Sequence, residues 1–214
     1  MIKIKNLKAK IENKYQCYKR RKGLKYKDFS IISNNCWGGF IYQMFGMKYT
    51  TPTIGLFMME SDYIKFLEKL KVYLEKDLVF IRPEQSRFYN QITDNGKKPI
   101  KYPVAKLGDI DIFFMHYTSQ EEASTKWNRR KMRINFDRLI IKMSERNDCS
   151  PEIISRFVRL PYKNKICFTA NSYNYPECVQ IEKLMDLNKN GGDETPYTLE
   201  KINIYNVINN IRGI

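Results

Sequence analysis

Apolar positions along this chain switch between two periods, and the switching predicts short strands separated by amphipathic helices. Residues 29–32 form an apolar run short enough for a buried strand. Ser33, Asn34, Asn35 and Cys36 interrupt it with small polar side chains, and Gly38 and Gly39 open a helical run over residues 40–45. A second strand is predicted over 53–59. Ser61 is positioned to cap a helix over 62–74, where Tyr63, Phe66, Leu67, Leu70 and Leu74 keep the 3.6-residue period. Residues 78–81 predict a short strand stopped by Arg82 and Pro83. Residues 84–103, with Asp94-Asn-Gly96, predict a loop or hairpin. A strand follows at 110–115, ended by His116 and Tyr117. Thr118 or Ser119, with Glu121 or Glu122 three residues on, predicts a capped helix to about residue 134. Residues 139–143 and 165–169 read as strands, and Ser150-Pro151 starts the helix between them. The pattern weakens after Asn171: a strand over 178–184, a turn at Asn190-Gly-Gly-Asp193 and a closing helix over 199–211.

This alternation predicts an α/β fold, a three-layer α/β/α arrangement around a mostly parallel, Rossmann-like sheet. Ligands in such folds bind beyond the carboxyl ends of the strands. Asn34, Asn35 and Cys36 follow one predicted strand and His116 another. Arg82, Ser144, Glu145 and Asn171 follow three more, so a parallel sheet would bring all of them to one crest.

Composition fits a folded chain: of 214 residues, 43% are hydrophobic and 14% aromatic, ample for a core. No apolar run approaches the roughly 20 residues of a membrane span, and the N-terminus has no apolar stretch of the secretory kind. The five cysteines (17, 36, 149, 167 and 178) form no C-x-x-C pair, and there is one histidine. That set predicts no metal site and a reducing, cytoplasmic setting.

Charge divides the chain more sharply than composition does. Residues 1–27 hold eleven Lys and Arg against Glu12 alone, a net of +10 out of +15 for the whole chain. Ile2, Ile4, Leu7, Ile11, Tyr15 and Tyr18 recur there at helical spacing, which predicts a basic amphipathic segment ahead of a single α/β domain over 28–214. Such a segment suits the inner face of an anionic membrane. No recognition-helix pattern or RNA-binding signature is present, and nucleic acid is set aside as a partner.

Several runs resemble one known family. They are Phe29-Ser-Ile-Ile-Ser-Asn-Asn-Cys-Trp-Gly-Gly39, Tyr49-Thr-Thr-Pro-Thr-Ile-Gly55, Asp62-Tyr-Ile-Lys-Phe66 and Tyr102-Pro103-Val104. Asp109-Ile-Asp111, His116-Tyr117 and the stretch from Glu122-Ala123 through Lys126-Trp127, Arg130 and Arg133-Ile134 complete the set. Together they are similar to a bacterial family of undefined biochemistry, usually named as exopolysaccharide biosynthesis proteins, over about residues 27–170. The resemblance implies a three-layer α/β/α protein and a place in capsule or surface polysaccharide assembly, with a sugar or lipid-linked saccharide as acceptor. It implies no particular reaction.

The residues themselves support two transferase chemistries and one non-catalytic role. In the first, Cys36 carries an acyl group from a thioester such as acyl-CoA, a co-substrate rather than a tightly bound cofactor, to a sugar hydroxyl. His116 takes the thiol proton. Amides near Gly38 and Gly39, with the Asn34 or Asn35 side chain, form the oxyanion site, and the helix start lowers the thiol pKa. In the second, a glycosyl- or sugar-phosphate transferase holds a donor diphosphate with Arg130, Lys126 and the glycine turn, and Asp111 or Glu145 is the base. Ser33, Trp37 and Asn171 complete the predicted substrate-binding set. In the third, the chain is a component of an assembly complex. Arg130 shares a helical face with Ala123, Trp127 and Ile134, which turns it inward, where either Glu145 or Asp111 would pair with it or a phosphate would.

Overall fold

In a computed structural model, the described residues are 2–213, with side chains described from residue 9 onward. The first helix, α1 (Ile2–Lys22), ends in Lys19, Arg20, Arg21 and Lys22, cations that suit the negative end of a helix. The side chains of Ile2, Ile4 and Leu7 lie outside the described residues. Strand β1 (Ser30–Ser33) leads through a turn at residues 34–36 into α2 (Trp37–Met44). The glycine at 38 allows this tight return: a Cβ there would sit 3.0 Å from Ser33 Oγ and 3.2 Å from the Ile31 side chain.

Residues 53–59 are not a strand. Gly55 has φ +72°, which no strand allows, and the segment makes only an isolated bridge between Phe57 and Phe113. The predicted helix over 62–74 is two, α3 (Glu60–Glu68) and α4 (Leu70–Glu75), broken at Lys69 (φ −130°, ψ 39°). Met59 rather than Ser61 stands at the start, without a side-chain cap.

The next strands leave the parallel sheet. β2 (Val79–Ile81) is followed by a 3-10 turn at Pro83–Gln85 and α5 (Tyr89–Thr93), which fill the predicted loop. β3 (Val104–Leu107), absent from the sequence prediction, forms a hairpin with β4 (Ile110–Phe113). The three make an antiparallel sheet in the order β2-β3-β4. The remaining elements follow the sequence closely. α6 (Gln120–Lys131) is capped by Ser119, whose Oγ accepts from Glu122 N at 3.1 Å. β5 (Leu139–Ser144), α7 (Pro151–Arg159) capped by Ser150, and β6 (Lys165–Thr169) come next. β7 is only Cys178–Gln180, and the tail carries α8 (Leu184–Asn190), α9 (Thr195–Lys201) and α10 (Ile204–Asn209).

β1, β5, β6 and β7 form a parallel four-stranded sheet in that order, with helices on both sides, so the fold is α/β with a mostly parallel sheet and a small antiparallel one. Side-chain alternation along the strands separates two cores. Ile32, Ile141, Met143 and Cys167 pack under α3, α4, α6, α7 and the antiparallel sheet. Their neighbours Ile31, Ile140, Ile166 and Phe168 pack under α2, α8 and α10.

Candidate functional site

The turn after β1 is built almost entirely from its own hydrogen bonds. Ser33 Oγ donates to Asn35 O (2.7 Å) and accepts from Gly38 N (3.3 Å), while Asn35 Oδ1 accepts from Trp37 N (3.2 Å). Trp37 Nε1 donates to Thr198 Oγ1 at 2.9 Å. Asn34 is buried, its amide donating to Glu60 Oε1 (2.7 Å) and Ser144 O (3.3 Å) and its Oδ1 accepting from Ser144 N (3.2 Å). Of the amides expected to form an oxyanion site, Gly38 N–H is committed to Ser33 Oγ and the Asn34 and Asn35 side chains to Glu60, Ser144 and Glu194. Ser33 and Asn34 are buried, hold β1 to α2, α3 and β5, and do not line either lobe of the cleft beyond the strand ends.

Beyond the carboxyl ends of β1 and β5 lies a cleft of two lobes. The first, about 290 Å³, is walled by Gly39, Tyr49, Ile54, Tyr117, Lys126 and Arg130. The second, about 390 Å³, is walled by Asn35, Trp37, Phe57, Met115, Arg146, Asn147 and residues 191–194. Cys36, Phe40 and His116 line both. Cys36 and His116 thus line the same two lobes, though not by the predicted route, because β4 belongs to the antiparallel sheet and not to a shared parallel crest. His116 is carried in by the backbone instead. Its N–H donates to Gly55 O at 2.9 Å, and a Cβ on Gly55 would come within 3.3 Å of His116 Cβ.

The thiol of Cys36 departs from expectation in sign. Burial pushes its pKa up, Asp193 and Glu194 add to the rise, and Lys142 offsets only part of it.

Arg130 meets neither expected partner. It is 6% exposed, its Nη1 donates to Tyr117 Oη (2.7 Å), and its guanidinium lies 4.9 Å from the centre of the Tyr49 ring. No carboxylate pairs with it among the described residues. Asp111 instead accepts from Ser86 Oγ (2.8 Å) and Arg87 N (3.2 Å), away from the cleft. Glu145 is saturated by the loop after β6, accepting from Ala170 N, Asn171 N, Asn171 Nδ2 and Tyr173 Oη at 2.7–3.0 Å. Neither carboxylate is available as a base, and Asn171 serves that loop. Lys126, by contrast, is already paired with Glu122 one turn back. The Lys126 contact and the Thr118 N–H and hydroxyl lower the Glu122 carboxyl to about 2.

The largest feature missed in the sequence is a buried ion pair beside the second lobe. Lys142, in the middle of β5 and fully buried, contacts Glu194 and donates to Asn35 Oδ1 at 2.9 Å. Burial lowers the lysine pKa against the pull of Glu194. Burial opposes ionisation of Glu194, but Lys142, Ser144 and Asn35 outweigh it and hold the carboxyl low. A lysine inside a six-residue apolar strand was the available sequence signal. Its partner lay in the poorly patterned tail. Among the described residues no group of three or more His, Cys, Asp or Glu side chains is placed to hold a metal ion. No helix among them is long and apolar enough to cross a membrane.

Comparison with known proteins adds kinship without chemistry. A family model described as a domain of unknown function (DUF1919) matches residues 6–208. A Haemophilus influenzae protein described as uncharacterized is 35% identical over 144 residues, which are 67% of this chain and 63% of the relative. The match thus spans less than two thirds of that relative's length.

Proposed function

Because the chain belongs to the DUF1919 domain family, whose description assigns no reaction, we propose its function from the cleft. It is a transferase of bacterial exopolysaccharide or capsule assembly that takes a sugar from a phosphate-linked donor, such as a nucleotide sugar. The observation that carries this reading is Arg130. A buried arginine is ordinarily paired, yet among the described residues only its Nη1 meets protein acceptors, and the residue lines the first lobe. Its planar fork suits a phosphate. The acceptor hydroxyl oxygen bonds to the donor's anomeric carbon. The bond from that carbon to phosphate oxygen breaks, and its electron pair stays on the phosphate beside Arg130. The hydroxyl proton passes to an imidazole nitrogen of His116, which stands where the lobes meet. The pathway rests on the family resemblance, and the setting at the cytoplasmic face of the membrane rests on the basic N-terminal helix.

Arg130→Met tests the site. It removes a hydrogen bond and a cation–π contact, at a cost of about 1–2 kcal/mol, so the protein should still fold. Inorganic pyrophosphate should raise the melting temperature of the wild type by mass action and leave that of the variant unchanged. Equal stabilisation of both proteins would remove the anion site.

The acyl-transfer reading keeps one observation in its favour, the shared position of Cys36 and His116 on both lobes. The raised thiol pKa weighs against it. Incubation with acetyl-CoA should add no acetyl group to Cys36 by intact mass, and an acetylated Cys36 would reinstate it.

A further inference from the structure

We infer that Tyr117 and Tyr49 are positioning residues that clamp the Arg130 guanidinium, leaving its Nε and Nη2 edge to grip two oxygens of one phosphate in the first lobe. The inference deepens the anion reading above and rests on it, but it assigns a binding mode and two residues that the reading does not use. Arg130 makes its hydrogen bonds through Nη1 alone, to Tyr117 Oη at 2.7 Å and to Ile54 O at 3.5 Å. Tyr117 is 6% exposed, and its hydroxyl donates to Ile54 O at 2.6 Å. Burial pushes that phenol's pKa up despite the neighbouring Arg130. It therefore keeps its proton at neutral pH and turns a lone pair to Nη1. The Tyr49 hydroxyl accepts from Gln43 Nε2 at 3.0 Å, and its ring covers one face of the guanidinium, 4.9 Å from ring centre to the guanidinium carbon. One nitrogen and one face are thus fixed.

What remains free is chemically specific. An arginine has two edges that can make paired hydrogen bonds, Nη1 with Nη2 and Nε with Nη2. Tyr117 takes Nη1 and closes the first. Nε and Nη2 meet no protein acceptor among the described residues, and neither is among the side-chain nitrogens and oxygens sealed from solvent without a partner. Arg130 lines the first lobe, so the lobe is where this edge is open. The same edge is in use elsewhere in the chain: Arg156 Nε and Nη2 hold the two carboxylate oxygens of Glu68 at 2.9 and 2.8 Å. A phosphate with two non-bridging oxygens meets parallel donors in the same way. Gly55 makes room for the clamp, since a Cβ there would come within 3.2 Å of Tyr117 Cε2.

The full-length protein and its variants are titrated with pyrophosphate by calorimetry, at a temperature well below every melting point. Tyr117→Phe keeps the ring and removes only the hydroxyl. It should weaken pyrophosphate binding about tenfold or more, the loss of one hydrogen bond to a charged group. A merely structural hydroxyl would lower the melting temperature and leave the dissociation constant of the folded protein where it is. If Tyr117→Phe does not fold, Tyr49→Leu decides. Tyr49 is only half-buried, and loss of its ring face should weaken binding about threefold or more. Pyrophosphate binding as tight as the wild type's in folded Tyr117→Phe, or in Tyr49→Leu, overturns the clamp while the anion site stands. No pyrophosphate binding by the wild type, or equal binding by Arg130→Met, overturns the anion reading and the clamp with it.

Discussion

Glu60 shows how the cleft is supported by groups that never reach it. Its carboxyl is fully buried, accepting from Asn34 Nδ2 at 2.7 Å and from Asn147 Nδ2 at 3.1 Å. Burial, reinforced by Asp148, raises its pKa well above the ordinary carboxylate value. The folded state therefore keeps a proton that the unfolded chain gives up near the ordinary pKa. Its stabilising contribution is complete below that value and is lost as pH rises toward the folded pKa. Glu60→Gln copies the protonated shape without titrating. The variant should match the wild type in urea unfolding at acid pH and fall off less between there and pH 8. Parallel curves for the two proteins would show that Glu60 titrates normally. Nothing in the sequence marks this residue, because a Glu that opens a helix reads as a surface charge. Arg130 was legible as inward-facing from its spacing with Ala123 and Trp127, but its lack of a carboxylate was not, since partners a dozen or more positions away leave no local pattern.

At the scale of elements, what could be read was whatever local periodicity and capping determine. Ser119 and Ser150 start α6 and α7 as their sequences predict, and β6 matches its apolar run. What escaped was decided by distant contacts. The strand expected at residues 53–59 is bent by Gly55 against His116 and Tyr117. β3 is recognisable only through its pairing with β2 and β4. Near its middle the tail is tied to the body by polar contacts as well as by apolar packing: Lys142 of β5 to Glu194, and Trp37 of α2 to Thr198 of α9. Removing one member of the ion pair leaves a buried charge uncompensated, which costs about 3–5 kcal/mol. Lys142→Met should destabilise by that amount in denaturant unfolding. The double change Lys142→Met with Glu194→Leu should recover most of it, because two apolar side chains of similar size need no desolvation. A double variant no better than the single one would mean that Glu194 is held chiefly by Ser144 and Asn35.

For the whole molecule the governing asymmetry is charge, with two thirds of the net +15 lying in residues 1–27. α1 is bound to the body on one side: Cys17 is buried, its Sγ 3.5 Å from Gln43 O, and Arg21 donates to Gly46 O at 3.0 Å. On the other side Ile11, Tyr15 and Tyr18, spaced at i, i+4 and i+7, are 59%, 53% and 48% exposed. Lys19 and Lys22 stand over the two tyrosine rings at 5.5 and 4.8 Å. An apolar stripe facing outward among cations matches a helix lying on an anionic bilayer. There each Lys or Arg near the surface contributes about 1 kcal/mol and the aromatic rings settle at the headgroups. Deleting the segment would confuse docking with folding, because Cys17 and Arg21 contact the body. Changing Ile11, Tyr15 and Tyr18 to Ser separates the two, since it alters neither charge nor a buried contact. The wild type should sediment with vesicles containing phosphatidylglycerol and not with pure phosphatidylcholine, and added salt should release it as the screening length falls below about 10 Å. The triple variant should stay in the supernatant with its melting temperature unchanged. Sedimentation of the variant to the same extent as the wild type would leave charge alone responsible and remove the stripe from the mechanism.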